Sequence, residues 1–309
     1  MAHAPNRDVA AAEANLPLPP EELVRRLRDM PFVIDSVEAA GGGVMGAKRL
    51  GVTFRDDGVH LSAKWKAAPA ACEGWNNSPR REIGVYEVQR LFLDPADYPV
   101  PPVAARAIPL DVYGPVDPKA TATLNGTRCV FGALAVWLEN AEQPKKAFDP
   151  ERFARDPAYA FHFANLNLLA YLVAHRDARS NNFLMSRDPT NPRVFSIDNG
   201  IAFGGVLYNF FTWHFDEIRT SGLPKRSIDR LRRVTAAQLA SFAVLGQWEP
   251  DADGVLQAVP PDVNWDTAVG TRLAGTRLQI GLTNDEIAAL ADRLASLLSR
   301  IDAGDLALF

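Results

Sequence analysis

Residues 175–204 read HRDARSNNFLMSRDPTNPRVFSIDNGIAFG, and the order of acids and amides in them decides how the rest of the chain is read. His175-Arg176-Asp177 is followed, after four residues, by Asn182. Two short apolar runs, 183–185 and 194–197, read as strands. The second delivers Asp198-Asn199-Gly200. An Asp at the end of a buried strand presents the hard oxygen ligand that Mg²⁺ accepts, and Gly200 lets the backbone turn sharply beside it. Asp and Asn are also common turn formers. The spacing of Asp177 and Asn182, followed by two strands and an Asp-x-Gly, instead matches what phosphoryl transfer needs: one acid to take a hydroxyl proton and two oxygen ligands for a metal.

Composition narrows the classes. With 309 residues the chain suffices for one large domain or two lobes with a substantial core. A net charge of −4 gives no basic footprint, so nucleic acid is not an expected partner. No apolar run approaches the roughly 18 residues of a membrane span. The start, MAHAPNRDVAAAEANLPLPP, lacks a cationic stretch followed by an apolar run, so no signal peptide is expected. Two isolated cysteines, Cys72 and Cys129, in no metal-ligand pattern, suit unpaired thiols and a cytoplasmic location.

If residues 175–204 perform phosphoryl transfer, a phosphate-covering loop, a cationic strand residue and an acidic helix residue should precede them in that order. Residues up to about 20 are rich in Ala and Pro and read as a flexible arm. A short helix over 21–29 ends at Pro31. A strand over 32–37 runs into Gly41, Gly43 and Gly46, spaced G-x-G-x-x-G. In a dinucleotide-binding unit a helix would follow. Here 50–54, the turn Asp56-Asp57-Gly58 and 59–65 read as two more strands, so the glycines join antiparallel strands, either to cover phosphates or as a plain hairpin loop. The third strand puts Ser62, Lys64 and Lys66 on one face and Ala63 and Trp65 on the other. One lysine is expected to reach the α- and β-phosphates, and at least one to be a solvated strand residue. Ser78-Pro79 opens a helix over 80–93 with Ser78 as N-cap. It carries Glu82 and Glu87, five residues apart, so only one can face the lysine.

His175-Arg176-Asp177 with Asn182 has the spacing of the protein-kinase catalytic loop, and Asp198-Asn199-Gly200 resembles the DFG segment with Asn in place of Phe. The stretch REIGVYEVQRLFLDPADYPVPPVAAR, residues 81–106, resembles the helix and following VPP segment of the Golgi secretory-protein kinases, the casein- and xylose-phosphorylating family. It is also similar to bacterial and phosphatidylinositol-4-kinase-like atypical kinases. IDNGIAFG, residues 197–204, resembles their metal-binding DNG-x-x-FG. The resemblance covers sparse motifs over about residues 40–205. It implies that the nucleotide-binding lysine follows an aromatic residue, as Lys66 follows Trp65, that the helix acid is Glu82, and that Asp198 is a metal ligand. Two features depart from it: the HRD with Asn182 is closer to ordinary protein kinases, and the cysteine-rich, secreted character of the Golgi enzymes is absent.

The remaining segments are read in the same frame. Residues 127–139 read as an apolar strand leading to a hinge at Glu139, whose backbone is expected to meet adenine. A polar crossing over 141–150 and a buried helix over 158–173 lead to His175. The aromatic cluster Tyr208, Phe210, Phe211, Trp213 and Phe215 reads as core packing, and the basic stretch 219–233 as a solvated helix face. Helices are expected at 236–245 and 284–301, the second opened by a Thr283/Glu286 capping box, so the C-terminal third is expected to be helical.

The expected fold is therefore α+β and two-lobed like a protein kinase: an arm and short helix over 1–30, a small antiparallel β lobe with one helix over 31–140, and a larger, mainly helical lobe over 141–309. The expected function is transfer of the γ-phosphoryl of ATP, with Mg²⁺ or Mn²⁺, to a hydroxyl acceptor on a protein or a small molecule. Asp177 would be the base, and Lys66 with Glu82 the phosphate clamp. Gly41, Gly43, Gly46 and Glu139 would be nucleotide contacts, and Asp198 and Asn182 metal ligands. A pseudokinase that binds without catalysis, and nucleotidyl transfer to a protein hydroxyl, use the same residues.

Overall fold

The structure, a computed structural model, describes residues 15–41, 46–75, 77–146, 148–204 and 218–309. Helix α1 (Pro20–Asp29) begins at a proline and carries Glu21 and Glu22 in its first turn and Arg26 and Arg28 in its last, the polarity its dipole favours. Its apolar side, Leu23 and Leu27, is fully buried against the first sheet. That sheet contains β1 (Phe32–Ala39), β2 (Lys48–Phe54) and β3 (His60–Ala67). After helix α2 (Pro79–Gln89) it gains β4 (Val103–Pro109), a one-turn helix α3 (Leu110–Tyr113) and β5 (Cys129–Val136). The order is β1-β2-β3-β5-β4, with every neighbouring pair antiparallel.

Strand alternation gives this sheet two different faces. Leu50, Val52, Leu61, Ala63, Trp65, Leu134 and Val136 share one apolar cluster with Leu23 and Leu27 of α1, and the Trp65 indole N–H donates to the Tyr113 hydroxyl at 3.1 Å. On the other face Lys64 and Lys66 lie opposite Ala135 and Ala133 of β5. The VPP stretch flows directly into β4, a strand that the motif reading of 81–106 passes over. The helix expected over 80–93 stops at Gln89, because that buried amide accepts from Val100 N–H at 2.8 Å and donates to Val100 C=O at 3.3 Å, folding the chain back. Ser78 occupies the N-cap position, but its hydroxyl is buried without a hydrogen bond; Pro79 alone marks the start.

A short sheet follows, β6 (Ala141–Glu142), then α4 (Pro150–Arg155) and α5 (Pro157–Leu172), then β7 (Phe183–Ser186) and β8 (Val194–Ser196), ordered β6-β7-β8. Asp156 caps α5 by accepting Tyr159 N–H at 3.0 Å. Nearly the whole circumference of α5 is buried, which makes it a rigid support for the loop at His175.

The C-terminal third departs from expectation. After β9 (Gly222–Leu223), α6 (Lys225–Leu231) and α7 (Ala236–Ala240) comes a four-stranded antiparallel sheet: β10 (Gly246–Pro250), β11 (Leu256–Val259), β12 (Thr271–Ala274) and β13 (Arg277–Ile280). Its order is β11-β10-β13-β12. Trp248, Leu256, Leu278 and Ile280 pack on Phe131, Cys129, Ala105 and Ile83, with the Trp248 and Phe131 rings edge to face at 5.1 Å. Strands of four or five residues are too short to show a period of two against a polar background. Helix α8 (Asn284–Asp302) begins with the Thr283/Glu286 capping box, and β14 (Ala307–Leu308) pairs in parallel with β9. The molecule is thus mixed α+β with antiparallel sheets.

The basic stretch read as a solvated face is exposed, and its arginines also form surface ion pairs. Arg230 meets Asp94 at 2.7 Å, Arg226 meets Asp97 at 2.9 Å, and Arg232 meets Asp302 at 2.5 Å. Cys72 and Cys129 are free, buried thiols. Among the described residues no helix is long and apolar enough to cross a membrane. Gly43 and the aromatic cluster at 208–215 lie outside the described residues.

Candidate active site

The face of β3 that carries the two lysines forms one wall of a cleft of about 760 Å³. Lys64, Lys66, Val103, Ala133 and Ala135 line that wall, and Asp177, Asn182, Leu184, Ile197 and Asp198 line the opposite one. The glycine segment joins two antiparallel strands, closed by Ala40 N–H on Ala47 C=O at 3.1 Å, and no helix follows it. Gly41 borders the cleft, and Gly41 and Gly46 hold φ of +72° and +68°, where a Cβ would be strained.

Lys66 is the best-anchored group. Its side chain is 7% exposed, its ammonium donates to Glu82 Oε1 at 3.0 Å, and it also pairs directly with Asp198. Burial opposes the charge, but the carboxylates of Glu82 and Asp198 outweigh burial and hold Lys66 above the ordinary lysine range. Glu82 Oε2 accepts the Asn199 N–H at 3.1 Å, so one acid ties α2 to both β3 and the Asp198-Asn199-Gly200 turn. Glu87, the other candidate, instead pairs with Arg90 at 3.2 Å.

Asp198 sits at φ +65°, a left-handed conformation that costs a non-glycine residue about 1–3 kcal/mol and that Asp tolerates better than most. Phe203, at φ +61°, closes the same turn: its N–H donates to Val173 C=O, and its ring packs where a Cβ on Gly84 of α2 would lie 3.1 Å away. Burial raises the Asp198 carboxyl, but Lys66 and Lys64 overcome it and hold the group below the usual carboxylate range.

Across the cleft, Asn182 Nδ2 donates to both Asp177 C=O at 2.7 Å and Asp177 Oδ2 at 2.9 Å. Arg179 Nε meets Asp177 Oδ1 at 2.9 Å. Both oxygens of Asp177 are thereby oriented. Ile197 N–H donates to Asn182 C=O at 2.9 Å, which locks the loop to the strand that delivers Asp198. Among the described residues Asn182 Oδ1 takes no hydrogen bond, leaving it available as a ligand. Asp198 and Asn182 offer oxygen donors of the kind hard cations take, and among the described residues no group of three or more His, Cys, Asp or Glu could hold a metal ion.

Two expectations require correction. Glu139 does not line the cleft, and its backbone is occupied. Its N–H donates to Asn15 C=O at 3.1 Å, and Asn15 Nδ2 donates to Glu139 C=O and Asn140 C=O, both at 3.0 Å. Asn15 therefore braces the crossing segment, while residues 1–14 of the expected arm lie outside the described residues, and Trp137 and Leu138 face the cleft instead. The second correction concerns the lysines. Neither is a solvated strand residue: Lys64 Nζ lies 3.7 Å from Asp198 Oδ1. Arg179 and Asn15 carried no sequence signal, since one is a loop cation and the other meets its partner across more than a hundred residues.

His175 is 1% exposed, and among the described residues neither ring nitrogen has a hydrogen-bond partner. Burial lowers its pKa, against the raising effect of Asp177, Glu82 and Asp198, so the ring stays neutral in the fold. The unfolded chain binds this proton below about pH 6.5 and the folded chain resists it, so the His175 contribution is intact above that pH and is lost as pH falls. His175→Phe is expected to flatten the loss of stability between pH 7.5 and 5.5 measured by urea unfolding, conditions that bracket about 6.5. An unchanged slope would assign the acid sensitivity elsewhere.

No family model matches the chain, and no curated protein matches it in sequence.

Proposed function

We propose that this protein is an ATP-dependent phosphotransferase with a two-lobed, protein-kinase-like arrangement. The first sheet and α2 form the small lobe, and α5, the β7–β8 hairpin and the later helices belong to the large one. The observation that carries this reading is the convergence on one cleft of Lys66, pinned by Glu82 and Asp198, and of Asp177, oriented by Asn182.

Lys66 binds the α- and β-phosphates as a compact cation, and Glu82 keeps it extended across the cleft. Asp198 and Asn182 hold Mg²⁺ or Mn²⁺, which when bound neutralises charge on the transferring phosphoryl group. Asp177 accepts the proton of the attacking hydroxyl. In a loose transition state positioning and charge neutralisation supply most of the rate. Val103, Ala133 and Ala135 on one wall and Leu184 on the other give apolar surfaces that suit a flat base. The acceptor is a hydroxyl of a protein or small molecule.

The test is to incubate the purified chain with Mn²⁺ or Mg²⁺ and ATP and to identify the nucleotide product. ADP is the expected product, with any group added to the chain or to an offered acceptor carrying the mass of phosphate. AMP transfer would replace this chemistry with nucleotidyl transfer, and ATP binding without any product would support a pseudokinase.

A further inference from the structure

We propose that Lys64 is a second phosphate-binding side chain, so that the cleft selects a nucleoside triphosphate through two lysines of one strand. This rests on the nucleotide-binding reading of the same cleft.

The strand register supplies the first argument. Lys64 lies directly opposite Arg49 of β2 and two residues from Lys66 on the same face. Like charges directly opposite one another in a sheet are destabilising, so three cations on one patch are a liability in the free protein. Arg49 has its own neighbours: Ser62 Oγ at 3.2 Å, the Trp137 ring at 4.9 Å and Glu38 at 3.7 Å. Lys66 is shared between Glu82 and Asp198. Lys64 faces Asp198 at 3.7 Å, a carboxylate that Lys66 already occupies.

The orientation supplies the second. A solvated lysine extends its ammonium into water. Lys64 instead reaches along the cleft wall to Asp198, and its side chain is 23% exposed. Its cross-strand neighbour in the cleft is Ala135, as Ala133 is for Lys66. These small side chains leave room beside both amines. The two Cα atoms are about 7 Å apart along the strand, but both ammoniums converge on Asp198 Oδ1, which places them to meet neighbouring phosphates of one polyphosphate. A lysine there carries three donors and a point charge, the chemistry suited to terminal phosphate oxygens.

The test is calorimetric binding of ATP and of adenosine to the full chain, with Mg²⁺ and again in EDTA. The proteins are wild type, Lys64→Met, which keeps the apolar stem, and Lys64→Arg, which keeps the charge. Lys64→Met is expected to weaken ATP binding about tenfold or more while leaving adenosine binding unchanged, and Lys64→Arg to restore most of the loss. Equal weakening of ATP and adenosine, or an unchanged ATP affinity, would overturn the role of Lys64 while leaving the nucleotide site in place. Absence of any nucleotide binding by wild type would overturn the site itself and this inference with it.

Discussion

Asp198→Ala is expected to lower metal-dependent ATP turnover by about 10³-fold or more, the scale of losing a preorganised charge-stabilising group. The geometry makes Asp198 the meeting point of the cleft: it pairs with Lys66, faces Lys64 at 3.7 Å and continues directly into the turn that Glu82 holds through Asn199 N–H. Its removal takes away the proposed metal ligand and also the anion that faces both amines. Asp177→Asn is a milder chemical change. It keeps one carbonyl oxygen for Arg179 or Asn182 and removes the proton acceptor, and it is expected to cost about 10²–10⁴-fold. The two variants should differ in binding: Asp177→Asn retains ATP affinity, and Asp198→Ala loses the Mg²⁺-dependent part of it. Circular dichroism must show both folded, because Asp198 is also part of a buried ion cluster. Wild-type turnover in either folded variant would remove that residue from the active site.

The largest expected loss of stability is at a charge network that adjoins the cleft without lining it. Glu286, at the first turn of α8, accepts from Arg80 at 2.6 Å and from Arg81 at 3.2 Å, and its Oε2 also accepts the Thr283 N–H at 3.0 Å. The side chains of Arg80 and Arg81 are 5% and 6% exposed, so their charges are held out of water. Burial opposes the Arg80 charge, and Glu73 and Glu286 overcome it, holding the group above its ordinary value. Glu73 in turn accepts from Thr271 of β12 at 2.9 Å. Helix α2, the second sheet and α8 therefore meet at one buried charge network, two residues from Glu82. Glu286→Ala is expected to destabilise by about 3–5 kcal/mol, the cost of removing one partner from a buried pair. Glu286→Gln, which retains an acceptor for Thr283 N–H, should lose less. Urea unfolding measures both. A change within about 0.5 kcal/mol would place the cluster among ordinary surface pairs.

What could be read from the sequence was local. The Asp177–Asn182 contact spans five residues, and the loop between them is closed by Asn182 on the Asp177 backbone, so spacing alone brought these two together. Alternation along β3 separated Trp65, which joins the apolar cluster that includes α1, from Lys66, which faces the cleft. Alternation also put Lys64 on the cleft face. It could not say how deep the cleft extends, and that depth makes both lysines cleft residues instead of one. The Asn15 bonds to Glu139 and Asn140, the docking of β10–β13 on β5, and the Glu286 link to α2 are contacts between distant parts of the chain. No local period encodes them. The β10–β13 sheet was the larger omission, because its strands are short and its buried face is completed by residues of β4 and β5. The left-handed backbone at Asp198 and Phe203 was also hidden, since neither residue is a glycine.

The most direct measurement is a crystal structure of the chain with a non-hydrolysable ATP analogue and Mn²⁺, phased to show the anomalous signal of the metal. The expected result places Mn²⁺ on Asp198 and Asn182 oxygens, phosphates against Lys66, and the base between Ala135, Val103 and Leu184. A nucleotide bound elsewhere, or a metal without contact to Asp198, would contradict the phosphotransferase account.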